Sequence, residues 1–214
     1  MGWYGPENLF GKNLLRIDEN KNGKGLAMNR AVFLDRDGVV NKLCHHRELK
    51  IKCAPFTANE FKMVPGVPAA VNLVHQSGYL CILISNQPDV GLGLMASDDF
   101  EDIKLKMRAD LARSSAYLDG EYYCMHHPDA VINEYKRICD CRKPKPGLLL
   151  RAALDHHVDL PNSWFVGDYL SDVEAGKGAG CRTILIEREK LASHCLASNG
   201  MVVPDKMCSN LVQG

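Results

Sequence analysis

From residue 31 onward, short apolar runs alternate with stretches of helical spacing, and this alternation limits the possible folds more sharply than any other feature. Ala31-Val-Phe-Leu-Asp35 is a strand-like run that ends in a carboxylate. Val67, Ala70, Val71 and Val74 then share one helical face, and Gly78 stops that helix. Tyr79–Ser85 reads as a second, buried strand. Ser97 opens a helix with Asp98 and Asp99 in its first turn and Phe100, Ile103, Met107 and Leu111 as its apolar stripe. Glu121–Cys124 is a third strand, followed by a helix from about Pro146 to His157 and the strand Trp164–Gly167. Ser171-x-x-Glu174 reads as a capping box that starts another helix, and Arg182–Glu187 is a fifth strand. Strands and helices in alternation predict an α/β fold, a Rossmann-like doubly wound parallel sheet covered on both faces.

The 214 residues suit one domain with a substantial core. Residues 1–29, rich in glycine and asparagine, are expected to be a flexible extension in which Phe10, Leu14 and Ile17 line at most one short helix. Residues 30–214 are expected to form the domain, and Met28 stands where it could begin, so residues 1–27 are expected to be dispensable. Lys+Arg and Asp+Glu are equal at 26 each, which gives no electrostatic footprint for a nucleic-acid partner. No apolar run approaches the ~20 residues of a membrane span, and no segment has a signal-peptide layout. A cytoplasmic monomer is expected.

Phe33-Leu-Asp-Arg-Asp-Gly-Val-Val-Asn41 sets two carboxylates, Asp35 and Asp37, directly after the first strand. Alone, an Asp-x-Asp-Gly commonly makes only a turn. Val166-Gly167-Asp168, with Asp172 four residues on, changes that reading, because a second strand then delivers acid to the same sheet edge. Clustered carboxylates repel unless a cation sits between them, and few oxygen ligands with retained water is the pattern of Mg²⁺. Ser85-Asn86 and Arg142-Lys143 add a hydroxyl, an amide and two cations. Together these groups describe phosphoryl transfer.

Nine cysteines, an odd number, include six with no common spacing, which read as free thiols. The remaining three stand in Cys124-x-His126, twelve residues, Cys139-x-Cys141. Three thiolates and an imidazole suit tetrahedral zinc, and a disulfide would leave one cysteine over. His127 reads as a neighbour of that set, and His45 and His46 as solvated loop residues.

The segments LDRDGVVN, SNQ, YYCMHHP…CDCRKPKPG and VGDYLSD, over roughly residues 30–187, resemble the haloacid dehalogenase superfamily of phosphatases. They are most similar to its D-glycero-D-manno-heptose-1,7-bisphosphate 7-phosphatases, in a branch that also holds histidinol-phosphatases. The resemblance implies that Asp35 attacks phosphorus, that Asp37 protonates the leaving group, and that Ser85 and Lys143 hold the phosphoryl oxygens. It implies Mg²⁺ on Asp35, Asp168 and the carbonyl of Asp37, and structural Zn²⁺ on Cys124, His126, Cys139 and Cys141. Asn86, Gln87 and Arg142 would face a small sugar phosphate. The zinc loop would replace a large cap domain and fix the backbone of Arg142 and Lys143. Pro88-Asp89, Leu92-Gly93, Tyr169 and the segment KLCHHRELK depart from the family pattern around the substrate. A non-catalytic binding protein would need none of Asp35, Asp37, Lys143 and Asp168 together.

Overall fold

The structure is a computed structural model that describes residues 28–46, 50–187 and 202–211. The expectations for residues 1–27, including their dispensability, lie outside these residues, as does Cys195. Asn29, assigned to the extension from sequence, is part of the fold. Its N–H donates to the His157 carbonyl at 2.9 Å, and its carbonyl accepts from the Asp159 N–H at 2.7 Å.

In chain order the elements are β1 (Arg30–Leu34), the short strands β2 (Cys44–His46) and β3 (Ile51–Cys53), α1 (Val67–Gln76), β4 (Tyr79–Asn86) and α2 (Ser97–Ala112). There follow β5 (Gly120–Cys124), α3 (Gly147–His156), β6 (Trp164–Gly167), α4 (Leu170–Ala179), β7 (Arg182–Ile186) and β8 (Lys206–Cys208). Six strands form one sheet in the order β5-β4-β1-β6-β7-β8, and every neighbouring pair is parallel. Successive residues of β1 serve opposite faces, as the period of a strand requires. Leu34 packs with the buried faces of α1 and α2, and Phe33 with those of α3 and α4. The stripe of Phe100, Ile103, Met107 and Leu111 is buried as expected. Each such side chain contributes about 1.5–3 kcal/mol, which holds α2 on the sheet although its outer face is largely charged.

From β1 the chain winds outward to β4 and β5, then crosses back to β6, β7 and β8 on the other side. The strand order therefore reverses beside β1, and the crevice at the carboxyl ends of β1, β4 and β6 is where such sheets hold ligands. No large cap stands over that edge among the described residues; β2 and β3 form a small antiparallel hairpin there. No helix among them is long and apolar enough to cross a membrane.

Three local features differ from the sequence reading. β8 is a sixth strand in the sheet, only three residues long and without apolar alternation. It is anchored by Asp205, whose carboxylate accepts from the Thr183 N–H at 2.7 Å and pairs with Lys177. The β2–β3 hairpin likewise lacks an apolar pattern. Finally, α4 begins at Leu170, before the expected Ser171 cap. Asp172 reaches back to accept from the Asp168 and Tyr169 N–H groups at 3.2 and 3.0 Å, so a carboxylate in the first turn does the capping.

That return contact requires a glycine. A Cβ on Gly167 would lie 2.2 Å from the Asp172 Cβ and 2.3 Å from its Oδ2. Gly167→Ala is expected to cost about 1–3 kcal/mol as an overpacked site. Thermal unfolding followed by circular dichroism should show a melting temperature lower by about 2–4 °C for each of those kcal/mol; an unchanged melting temperature would refute the contact.

Candidate active site

Asp35 leaves the end of β1 and is held there by its own backbone, with its N–H donating to the Val166 carbonyl of β6 at 3.0 Å. Its Oδ1 accepts from the Arg36 N–H at 2.7 Å and lies 2.7 Å from Lys143 Nζ. The same ammonium lies 2.7 Å from Asp172 Oδ1. Asp168, fully buried at the end of β6, completes a group of three carboxylates with Asp35 and Asp172, whose potential ligand atoms all lie within 4.8 Å of one another. The Asp35 carboxyl is pushed up to about 7, by burial first and then by Asp172, against the opposing pull of Lys143. Burial works against the Lys143 ammonium, but Asp172 and Asp35 outweigh it and hold the group charged. Hard oxygen donors at this density fit a divalent cation such as Mg²⁺. A further positive charge there would favour an ionised Asp35.

Asp37 sits beside this group in a cage of donors. Arg36, with no exposed surface, places Nη2 3.1 Å from Oδ2 and 3.2 Å from Oδ1, and Asn41 Nδ2 donates to Oδ1 at 3.0 Å. Gln87 closes the cage from β4, with Nε2 2.5 Å from Asp37 Oδ2 and 2.9 Å from Ser85 Oγ.

Of the three residues expected to face the substrate, the structure corrects Gln87. Gln87 has no exposed surface and its amide turns inward. Asn86 lines the pocket, but both ends of its amide are taken up by the Lys143 backbone, donating to its carbonyl at 3.1 Å and accepting from its N–H at 3.0 Å. Arg142 turns toward the cysteine cluster and donates to the His126 carbonyl at 3.4 Å. Only for Gln87 does an internal carboxylate partner take the amide out of the cleft.

Cys124 ends β5, and the turn that follows brings His126 against Cys139 and Cys141. Sγ–Sγ separations are 3.2, 3.3 and 3.6 Å, and His126 Nδ1 lies 3.2 and 3.8 Å from Cys141 and Cys124. Zinc–sulfur bonds of about 2.3 Å in a tetrahedron place ligand atoms about 3.7 Å apart, so the four donors fit one zinc ion. All four positions are filled by protein, which is the pattern of a structural site. His127 stands outside the group, its Nδ1 accepting from the Asp129 N–H at 3.1 Å.

A pocket of about 270 Å³ opens over Asp35, Asp37 and Lys143, walled by Lys52 and Ala54 of the hairpin region, Asp89, Tyr169 and Asp172. Of these walls, Lys52 carried no signal in the sequence, whereas Asp172 belonged to the second acidic element read there. Arg36 also went unnoticed, because an arginine between two aspartates reads as a charged turn. His46 is half-buried, stacked on Phe56 at 4.0 Å between ring centres, with Nε2 2.9 Å from the Ala54 carbonyl; it braces the hairpin.

Known proteins are similar to this chain in sequence and fold. The HAD-hydrolase-like family model matches residues 140–213. D-glycero-beta-D-manno-heptose-1,7-bisphosphate 7-phosphatases are similar over most of the chain. The one from Photorhabdus laumondii is 37% identical over 74% of this chain and 80% of its own length, and that from Pasteurella multocida 38% over 76% and 84%. The crystal structure of D,D-heptose 1,7-bisphosphate phosphatase from B. bronchiseptica, complexed with magnesium and phosphate, superimposes with a TM-score of 0.69. It is 30% identical and covers 85% of this chain and 93% of its own. With these relatives, this fold and these carboxylates, the chain belongs to the D-glycero-D-manno-heptose-1,7-bisphosphate 7-phosphatase family of haloacid-dehalogenase-type phosphatases.

Proposed function

We propose that this phosphatase removes the C7 phosphate of D-glycero-D-manno-heptose 1,7-bisphosphate through an aspartyl-phosphate on Asp35. The observation that carries the reading is the single ammonium of Lys143 held 2.7 Å from both Asp35 and Asp172, at the floor of a pocket with Asp168 behind it. Asp35 Oδ attacks phosphorus in line with the leaving alkoxide, Asp37 protonates that alkoxide, and Asp37 then takes a proton from the water that cleaves the acyl phosphate. Lys143 and the Ser85 hydroxyl hold phosphoryl oxygens as charge develops. Asp35, Asp168 and the Asp37 carbonyl would hold Mg²⁺, with Asp172 close by. Bound there, the ion supplies charge neutralisation for the phosphoryl group. The printed names of the relatives support the heptose substrate, and a slender primary phosphate suits a cleft without a large cap.

Asp89 on the pocket wall favours a second reading, an amino-alcohol phosphate such as histidinol phosphate, whose ammonium a carboxylate would pair with. Specificity constants for both heptose bisphosphate anomers and histidinol phosphate decide between them. The heptose compounds should be turned over faster; a faster histidinol phosphate would overturn the substrate and leave the reaction class intact. Asp35→Asn, measured on the better substrate, should still fold and should lose activity by roughly 10³-fold or more, as loss of a nucleophile does.

Zinc is proposed on Cys124, His126, Cys139 and Cys141 as a support for Lys143, two residues beyond the last ligand. Elemental analysis of protein purified without added metal should return about one zinc ion per chain. Cys139→Ser should lower both zinc content and melting temperature, with activity falling alongside. A zinc-free wild-type protein with full activity would contradict the assignment.

A further inference from the structure

Gln87 carries a fully buried amide whose position the reaction scheme leaves unexplained. Its Nε2 donates at once to Asp37 Oδ2 and to Ser85 Oγ, at 2.5 and 2.9 Å. For the ionised form of Asp37 the orientation of this amide is set by chemistry: turned over, its oxygen would face the carboxylate, setting two acceptors against each other. Ser85 Oγ must therefore accept from Gln87, and its own proton is left for another acceptor. The peptide N–H of Gln87 donates to the Cys124 carbonyl at 2.7 Å, so the residue is pinned by the end of the strand that begins the cysteine cluster.

Resting on the phosphatase reading above, we propose that Gln87 is a positioning residue for general acid catalysis. It holds Asp37 Oδ2 at the leaving group and ties that carboxyl to the Ser85 hydroxyl, which holds a phosphoryl oxygen. The other donors of the cage leave this task to Gln87. Asn41 binds Oδ1 and the Arg36 fork spans both oxygens from the adjacent residue, whereas Gln87, directly after β4, is the donor that bonds both Asp37 and Ser85. Without Gln87 the carboxyl is still held by Arg36 and Asn41 but loses its tie to the Ser85 hydroxyl, and a small error in the direction of a proton transfer has a large effect on rate.

Leaving-group dependence tests this assignment. The alkoxide of a sugar needs a proton in order to depart, whereas p-nitrophenolate does not, and kcat/KM reports on that first phosphoryl transfer alone. Gln87→Met keeps the volume and removes the donor; Asp37→Asn removes the acid. Wild-type and both variants are compared on the preferred sugar phosphate and on p-nitrophenyl phosphate, with melting temperatures recorded. Gln87→Met is expected to lower kcat/KM for the sugar phosphate by about 10- to 100-fold, a fraction of what a general acid supplies, and to leave p-nitrophenyl phosphate within about threefold. Gln87→His, which keeps a ring N–H donor, should recover part of the loss. If Gln87→Met lowers both substrates in parallel, or neither, while Asp37→Asn shows the selective loss, the role of Gln87 is refuted and the phosphatase mechanism stands. If Asp37→Asn itself spares the sugar phosphate, Asp37 is not the acid and both readings fall.

Discussion

The arrangement of this site depends on one buried ammonium between two carboxylates. Lys143 is 6% exposed, and its Nζ lies 2.7 Å from Asp35 and 2.7 Å from Asp172. A lone charge at that depth would neutralise rather than stay ionised. Paired on two sides, it stays charged. Breaking such a buried pair by removing one partner typically costs about 3–5 kcal/mol, so the elements that aim Lys143 carry stability as well as function.

Much of the surrounding structure aims it. Asn86 clamps the Lys143 backbone from β4, and the Cys124, His126, Cys139 and Cys141 cluster closes the loop immediately before it. Gly147 packs so tightly on that loop that a Cβ would meet the Asp140 carbonyl at 2.3 Å. On the opposite side, Asp172 is placed by its bonds to the Asp168 and Tyr169 N–H groups, over a glycine at 167. The cysteine cluster and the carboxylates thus hold the cation from two sides.

The alternation of strand and helix was legible because its apolar spacing is set by burial. The stripe of α2 and the ends of β1, β4 and β6 appear where the sequence places them. Asp35, Asp168, Lys143 and the four cysteine-cluster ligands come together for the same reason: each directly follows an apolar strand or a metal-type spacing. What could not be read was the direction of side chains in loops. Gln87 is a polar residue near a strand end, equally suited to a ligand or to an internal partner, and only tertiary contacts show that it chooses the internal one. Arg36 illustrates the limit further. An arginine with no exposed surface is rare enough that sequence favours solvent, and its burial follows from Asp37 beside it and the Phe100 ring 5.8 Å away. Strand β8 and the β2–β3 hairpin are too short for any period to register.

Chemical trapping of the intermediate tests the central claim most directly. The protein is mixed with substrate and magnesium, quenched in acid, and treated with tritiated borohydride, which reduces an acyl phosphate to the alcohol and turns the labelled aspartate into homoserine. Peptide mapping should find the label at position 35, dependent on substrate and absent from Asp35→Asn. Label at Asp37, Asp168 or Asp172, or none above the substrate-free control, would contradict a covalent intermediate on Asp35.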